Sequence, residues 1–332
     1  MTHPLNLGLY LLSPAEVTGV ERALWAEQRG FSSVWVPDGE GKMHALTLAG
    51  ALAVRTGRIR IGLGVVPVFT HTPAVLASAA MTLAHLAPGR IVLGLGTSSE
   101  NMMEGWHGIP FEKPLTRMRE TTQVLRRMLM GERVEFQGET LHTRAFKLNP
   151  APETPVPIYL AALRPKMLEL AGEVADGVIL HLAPLTALPR MLEHVAAGAA
   201  RSGRTLADLE IVCRFNAIVM DDDGEAREAT RDFVQRYLTA PVYNRFFAWC
   251  GFEREATEFY EAFRARDRAR SRAAVSDALV EQMCIFGNEE QVREKIRAYA
   301  AAGIRTPAIN AFAPDLPTAQ RTMEAFLPEH FA

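Results

Sequence analysis

Cysteine is scarce and scattered. The chain has three, Cys213, Cys250 and Cys284, with no CxxC pair and no Cys/His spacing suited to zinc. An odd, dispersed set also argues against a disulfide framework, so buried reduced thiols in a cytoplasmic protein are expected. No apolar run approaches the roughly 18 residues a membrane helix needs, and no membrane partner is expected. The opening MTHPLNLGLY lacks a basic stretch followed by an apolar one and reads as a strand, so no signal peptide is expected. Neither sign of charge dominates: 36 Lys and Arg face 38 Asp and Glu, a formal net charge of -2, which argues against a nucleic-acid partner. The basic cluster at 264–272 is interrupted by Asp267 and reads as a solvated helix face. HExxH, GxSxG and GxxxxGK[ST] are missing, and Gly94-Leu95-Gly96 is not followed by the third glycine of a dinucleotide fingerprint. No metal ligand set and no internal repeat stand out.

What the chain does have is alternation. Hydrophobic residues make up 48%, and branched runs alternate with helical patterns. Strand-like runs fall at 5–10, 31–37, 59–68, 91–95, 158–161, 177–182, 209–220 and 307–312. Those at 59–68 and 91–95 lack polar alternation, as strands covered on both faces do. Helical patterns fall between them, the first opening at Ser13-Pro14-Ala15-Glu16 with a good N-cap and a proline at the first helical position. Residues 134–143 read as a hairpin around Gln137-Gly138, and 149–157 as a proline-rich linker. Eight strands in β–α order favour a closed (β/α)8 TIM barrel over an open doubly wound sheet. Residues 1–332 read as one domain, with a helical insertion at about 225–285, after strand seven.

In a parallel barrel, ligands bind where strands end at their carboxyl side. Thr70, His71 and Thr72 follow the third strand, and a loop from Thr97 to His107 follows the fourth. Thr97 and Ser98 offer hydroxyls and backbone N–H groups. The Ala162-Leu163-Arg164 turn runs into a helix start, a geometry that suits a phosphate, although Arg164 and Lys166 would also suit a plain surface turn. Glu104, Trp106 and His107 crowd a loop bounded by glycines: the imidazole could move a proton and the indole could wall a flat ligand. Asp38 ends strand two and reads as a helix cap or a ligand contact. His181 ends strand six and could line the pocket.

At these residues the chain resembles the luciferase-like superfamily of flavin and deazaflavin enzymes, and most closely its branch of oxidoreductases that use coenzyme F420. The likeness rests on VWVPD at 34–38, TPAVLASAAMTLAHLAPGRIVLGLG at 72–96, EGWHG at 104–108, PIYLAAL and AGEVADGVI between 157 and 179, and PVYNRFFAWCGF at 241–252. It implies a tricyclic ring at the barrel mouth, backed by a non-prolyl cis bulge between Leu63 and Val65, with Gly64 at its centre. It also implies phosphate contacts at Thr97, Ser98 and the Ala162–Arg164 turn, and Asp38 beside the ring. In several deazaflavin relatives a histidine follows this aspartate and transfers a proton. Gly39 stands there in this chain, so Glu104 or His107 becomes the candidate. The implied function is hydride transfer between F420 and a small organic substrate in a cytoplasmic homodimer. The alternatives are an FMN-dependent monooxygenase using reduced flavin and O2, and a non-catalytic barrel that binds a ligand or partner.

Overall fold

The computed structural model of the chain describes residues 5–12, 18–38 and 43–331. The first half runs β1 Gly8–Tyr10, α1 Gly19–Gln28, β2 Ser33–Val36, α2 Ala45–Arg55, β3 Arg60–Leu63, β4 Val66–Pro67, α3 Pro73–Leu86, β5 Ile91–Gly96, α4 Glu100–His107 and α5 Pro114–Leu129. A two-stranded antiparallel excursion follows, β6 Val134–Gln137 with β7 His142–Phe146. The barrel resumes with β8 Ile158–Ala161, α6 Pro165–Val174, β9 Gly177–His181, α7 Leu188–Arg201 and β10 Glu210–Val219. Helices α8 Asp223–Leu238, α9 Pro241–Phe247, α10 Glu253–Arg264, α11 Arg268–Ala273 and α12 Asp277–Met283 then intervene. The chain closes with β11 Ile285–Gly287, α13 Glu289–Ala301, β12 Thr306–Ala311 and α14 Leu316–Ala325.

Eight parallel strands close on themselves in the order β1-β2-β3-β5-β8-β9-β10-β12, with β12 back against β1. The expected barrel is therefore the observed one. Strand period explains which side chains fill it. Tyr10, Trp35, Val92, Tyr159, Ile179, Val212 and Ala308 pack inside the cylinder. Their neighbours one residue along, such as Leu9, Val34, Leu93 and Cys213, face the helices and join the larger outer core.

Four details differ from the sequence reading. The expected strand 59–68 is two short strands, because the chain bulges at a cis Gly64–Val65 peptide, inside the expected interval. The Ser13 start of the first helix lies outside the described residues; the described helix begins at Gly19, where Thr18 and Glu21 form a reciprocal capping box. The stretch after Ser99 is a helix rather than a loop: the Ser99 hydroxyl accepts from Met102 N, and Gly108 ends the helix in the left-handed region at φ 64°. Strand β11 was not foreseen; it lies beside the last turns of β10, pairing Ala217 with Ile285. Among the described residues, no helix is long and apolar enough to cross a membrane.

Candidate active site at the barrel mouth

The two ends of the barrel are built on different principles. At the amino-terminal end, charged side chains are consumed in tying down loops. Arg90 donates to Ala53 O and Thr56 Oγ1 at 2.9 and 2.8 Å. Arg204 donates to Ala175 O and Gly172 O at 2.7 and 2.8 Å, at the carboxyl end of α6, where a cation also suits the helix dipole. Glu27 accepts from the backbone of Arg58 and Ile59 at 2.6 and 2.8 Å. A small cavity of about 70 Å³ lies at this end, lined by Arg60, Tyr159, Glu210 and Thr306 among others. It has room for a few waters only, and the Tyr10–Trp35–Tyr159 ring layer lies between it and the mouth.

At the carboxyl end the arrangement is the reverse. Half of the mouth is nearly bare backbone. The inward positions of β3, β5 and β8 are Gly64, Gly94, Gly96 and Ala161. A Cβ on Gly94 would sit 1.9 Å from the Leu63 carbonyl oxygen, and one on Gly96 would sit 2.4 Å from Val65 Cγ2. Glycine is thus required for the bulge to lie flat against β5. The result is a floor that a planar molecule can approach closely.

Beside that floor, β5 and β8 run in register, Leu95 against Leu160, which brings Thr97 alongside the Ala162 turn. Ser98 adopts φ 59°, and Thr97 and Ser98 are both half-buried. Arg164 occupies the N-cap position of α6, with no side chain accepting from the first turn. Its guanidinium loses part of its ordinary basicity, first through burial and then through the nearby Arg245 of α9. Neither arginine has an ion-pair partner among the described residues. Met167 N and Leu168 N already donate to Arg164 O and Pro165 has no N–H, so the two like charges, beside the Lys166 N–H, are what suits an anion here.

The opposite wall, from β9, β10 and β12, carries side chains. His181, Arg214, Asn216 and Asn310 all point inward. Asn216 Nδ2 meets His181 Nε2 at 2.9 Å, Asn310 Nδ2 donates to Asn216 Oδ1 at 2.9 Å, and Arg214 Nη2 donates to the same oxygen at 3.3 Å. Burial, followed by the Arg214 charge, pushes the His181 imidazole well below its usual range and keeps it neutral. The insertion roofs this wall: Tyr237 of α8 and Tyr243 of α9 meet the His181 ring edge-on at 5.3 and 6.1 Å.

Most of the residues expected from the sequence are gathered here, though not all in the expected manner. Gly64, Val65, Thr97, Ser98 and Leu163 are accessible at the mouth. Leu63 and Ala162 have buried side chains and can offer only backbone. Glu104, Trp106 and His107 ride on α4 and are exposed, Trp106 at 61%. The Glu104 carboxylate accepts from Phe111 N at 3.1 Å. Asp38 meets the first of its two expected roles, at the start of a helix. Its Oδ1 accepts from Ala45 N at 2.9 Å near the start of α2, and its own N–H donates to the Val65 carbonyl of the bulge at 3.3 Å. Sequence reasoning missed the company Asp38 keeps: ligating atoms of Asp38, His44 and His71 lie within 4.8 Å of one another. His71 Nδ1 faces the Pro67 carbonyl at 3.3 Å and Thr70 Oγ1 at 3.0 Å. A carbonyl only accepts, so Nδ1 carries a proton. Arg214, Asn216, Asn310 and Arg245 were missed as well.

A closed parallel barrel with its uncommitted polar groups collected at the carboxyl ends of the strands is an enzyme-type (β/α)8 architecture. The chain belongs to the luciferase-like monooxygenase family, whose model matches residues 14–306. It is 30% identical over 284 residues to a 5,10-methylenetetrahydromethanopterin reductase of Archaeoglobus fulgidus, covering 84% of this chain and 85% of that one. It is also 30% identical over 336 residues to a putative coenzyme F420-dependent oxidoreductase of Mycobacterium tuberculosis, covering 92% and 94%. A solved coenzyme F420-dependent tetrahydromethanopterin reductase of Methanopyrus kandleri shares the fold with a TM-score of 0.82 at 23% identity, covering 99% of this chain and 100% of the other.

Proposed function

We propose that this chain is an oxidoreductase that exchanges a hydride between coenzyme F420 and a small organic substrate. The observation that carries the reading is the glycine-cleared half of the mouth, lying directly beside a paired-arginine anion site. A flat ring with an anionic tail needs both, side by side. The F420-dependent relatives, alike over nearly the whole chain, support the same choice.

The residues fit such a group. Gly64 and Val65 would back the ring, with Leu63 and Ala162 contributing backbone and Asp38 and Leu163 at its margins. Thr97, Ser98, the first turn of α6, Arg164 and Arg245 would hold the phosphate tail. When bound, F420 supplies a two-electron hydride donor or acceptor. The chain's own contribution is position and proton handling. With Gly39 after Asp38, this reading gives the proton role to His71, whose ring stands with Asp38 and His44 beside the bulge. Glu104 and His107, the sequence candidates, sit on the exposed α4.

The reading includes a cytoplasmic homodimer, for which the exposed Val54, Val75 and Leu86 of neighbouring helices α2 and α3 offer apolar surface; light scattering decides it. The second reading is an FMN-dependent monooxygenase, favoured by the family's monooxygenase members, since the same cradle accepts an FMN phosphate. Fluorescence titration of the purified protein with F420 and with FMN separates the readings. F420 binding in preference to FMN is expected. Binding of FMN alone transfers the assignment to the monooxygenase, and binding of neither leaves a non-catalytic ligand- or partner-binding barrel.

A further inference from the structure

The side-chain wall of the mouth has a defined chemical polarity that nothing in the cofactor reading uses. Arg214 fixes it. A guanidinium can only donate, so the Asn216 atom facing Arg214 Nη2 at 3.3 Å must be its oxygen. The Asn216 amide nitrogen therefore faces His181 Nε2 at 2.9 Å, which must be a lone pair, and the imidazole proton is placed on Nδ1. The Asn310 amide nitrogen faces the same Asn216 oxygen at 2.9 Å, which leaves Asn310 Oδ1 buried without a partner. Arg214 Nε is likewise buried and unpartnered.

The charge count then decides the ligand. The Arg214 guanidinium stacks 5.1 Å from the Tyr10 ring centre and has no carboxylate partner among the described residues. His181 is neutral. Among the described residues the wall thus presents one uncompensated positive charge. A neutral carbonyl would leave that charge uncompensated, and a phosphate dianion would bring a second negative charge with no partner on this wall; a carboxylate matches both the charge and the planar fork of the guanidinium.

We propose that Arg214, on the scaffold of Asn216, Asn310 and neutral His181, binds the carboxylate of a small monoanionic substrate opposite the glycine floor. This rests on the F420 reading for what lies across from it, but the wall itself does not depend on the cofactor. The Asn310 Oδ1 acceptor suits a hydroxyl or amine on the same molecule. Tyr237 and Tyr243, over His181, close the site from the insertion side.

The test compares benzoate with benzamide and acetate with acetamide by calorimetric titration of the full-length protein, with and without saturating F420. The variants are Arg214→Met and Arg214→Lys. In the wild-type protein each carboxylate is expected to bind roughly 10- to 100-fold tighter than its amide, the range a charge-assisted contact supports. Arg214→Met should abolish that preference, Arg214→Lys should keep part of it, and the F420 affinity of both should stay within about twofold of wild type. Equal binding of acid and amide by the wild-type protein overturns the proposal, with no need for any variant to fold. Loss of F420 binding in Arg214→Met also overturns it, by assigning the arginine to the cofactor. Failure of the wild-type protein to bind F420 refutes the cofactor reading alone, because the titrations without cofactor still report on the wall.

Discussion

Replacing Gly94 by alanine is the sharpest perturbation of the cleared floor. The added Cβ would lie 1.9 Å from the Leu63 carbonyl oxygen and 2.8 Å from Ile179 Cδ1. A carbon–oxygen contact settles at roughly 3.3 Å or more, so more than about 1 Å must be found by moving one strand against its neighbour. The obstructing atom is backbone, and no rotamer change can clear it. Overpacking costs about 1–3 kcal/mol where side chains can yield; here about 3 kcal/mol is expected, which a domain stable by roughly 5–15 kcal/mol survives. A shift near 1 Å in the segment that backs the ring can lower activity by about 100-fold, and F420 affinity should fall at least tenfold. Gly105 is the internal control. It lies in α4, and its Cβ would meet nothing nearer than Asn101 Oδ1 at 3.8 Å. Gly105→Ala should raise stability by up to about 1 kcal/mol through helix propensity and leave F420 binding unchanged. Urea denaturation and F420 fluorescence quenching on both variants read the two effects. Gly94→Ala within about 0.5 kcal/mol of wild type, with undiminished F420 affinity, would refute the argument that this glycine clears the floor.

Arg164→Ala and Arg245→Ala should each weaken F420 binding roughly tenfold or more and flatten its salt dependence. Neither should lower the stability of the free protein, since each removes a repulsion between neighbouring cations; a loss of stability without loss of affinity would make them structural. Glu120, 8% exposed, accepts from Glu139 N at 2.6 Å and from Thr140 N and Oγ1 at 2.9 and 2.6 Å. Burial alone would raise its carboxyl, but the Thr140 hydroxyl and the backbone donors outweigh burial and hold it below 4.5. Its stabilisation is therefore complete above pH 4.5 and is lost as pH falls through the lower folded value. Glu120→Gln should cost about 1–3 kcal/mol at neutral pH and reduce the acid-side slope of stability measured by urea melts between about pH 5 and 3; an unchanged slope counts against this account.

The barrel was legible because strands covered on both faces leave uninterrupted branched runs, and helices on both sides of them restore a period near 3.6. What escaped notice escaped for physical reasons. Thr97-Ser98-Ser99-Glu100 reads as a polar loop, yet Ser99 is the cap of a short helix whose one buried side chain is Met103. Strand β11 is three residues long and has no periodicity to detect. Asp38, Thr97, Ser98 and the Ala162 turn were found because strand ends are marked by the break in apolar sequence. His44 and His71 belong to two separate loops, and only folding brings them to Asp38. Arg245 lies in the insertion, where no strand register predicts neighbours. Arg214 and Asn216 did leave a sign: two polar residues two apart inside the apolar run of β10 share one face, which must be the barrel's inside.

The asymmetry of the mouth has an evolutionary corollary. Where the floor is made of absent side chains, almost every mutation is an intrusion, and that half of the circle is locked. On the facing wall the same chain displays Arg214, His181 and Asn310 from three separate strands beneath a roof of inserted helices. Each can be exchanged for another polar group without touching the strands that would carry the cofactor. Descendants of this scaffold are free to change what they act on while keeping what they act with.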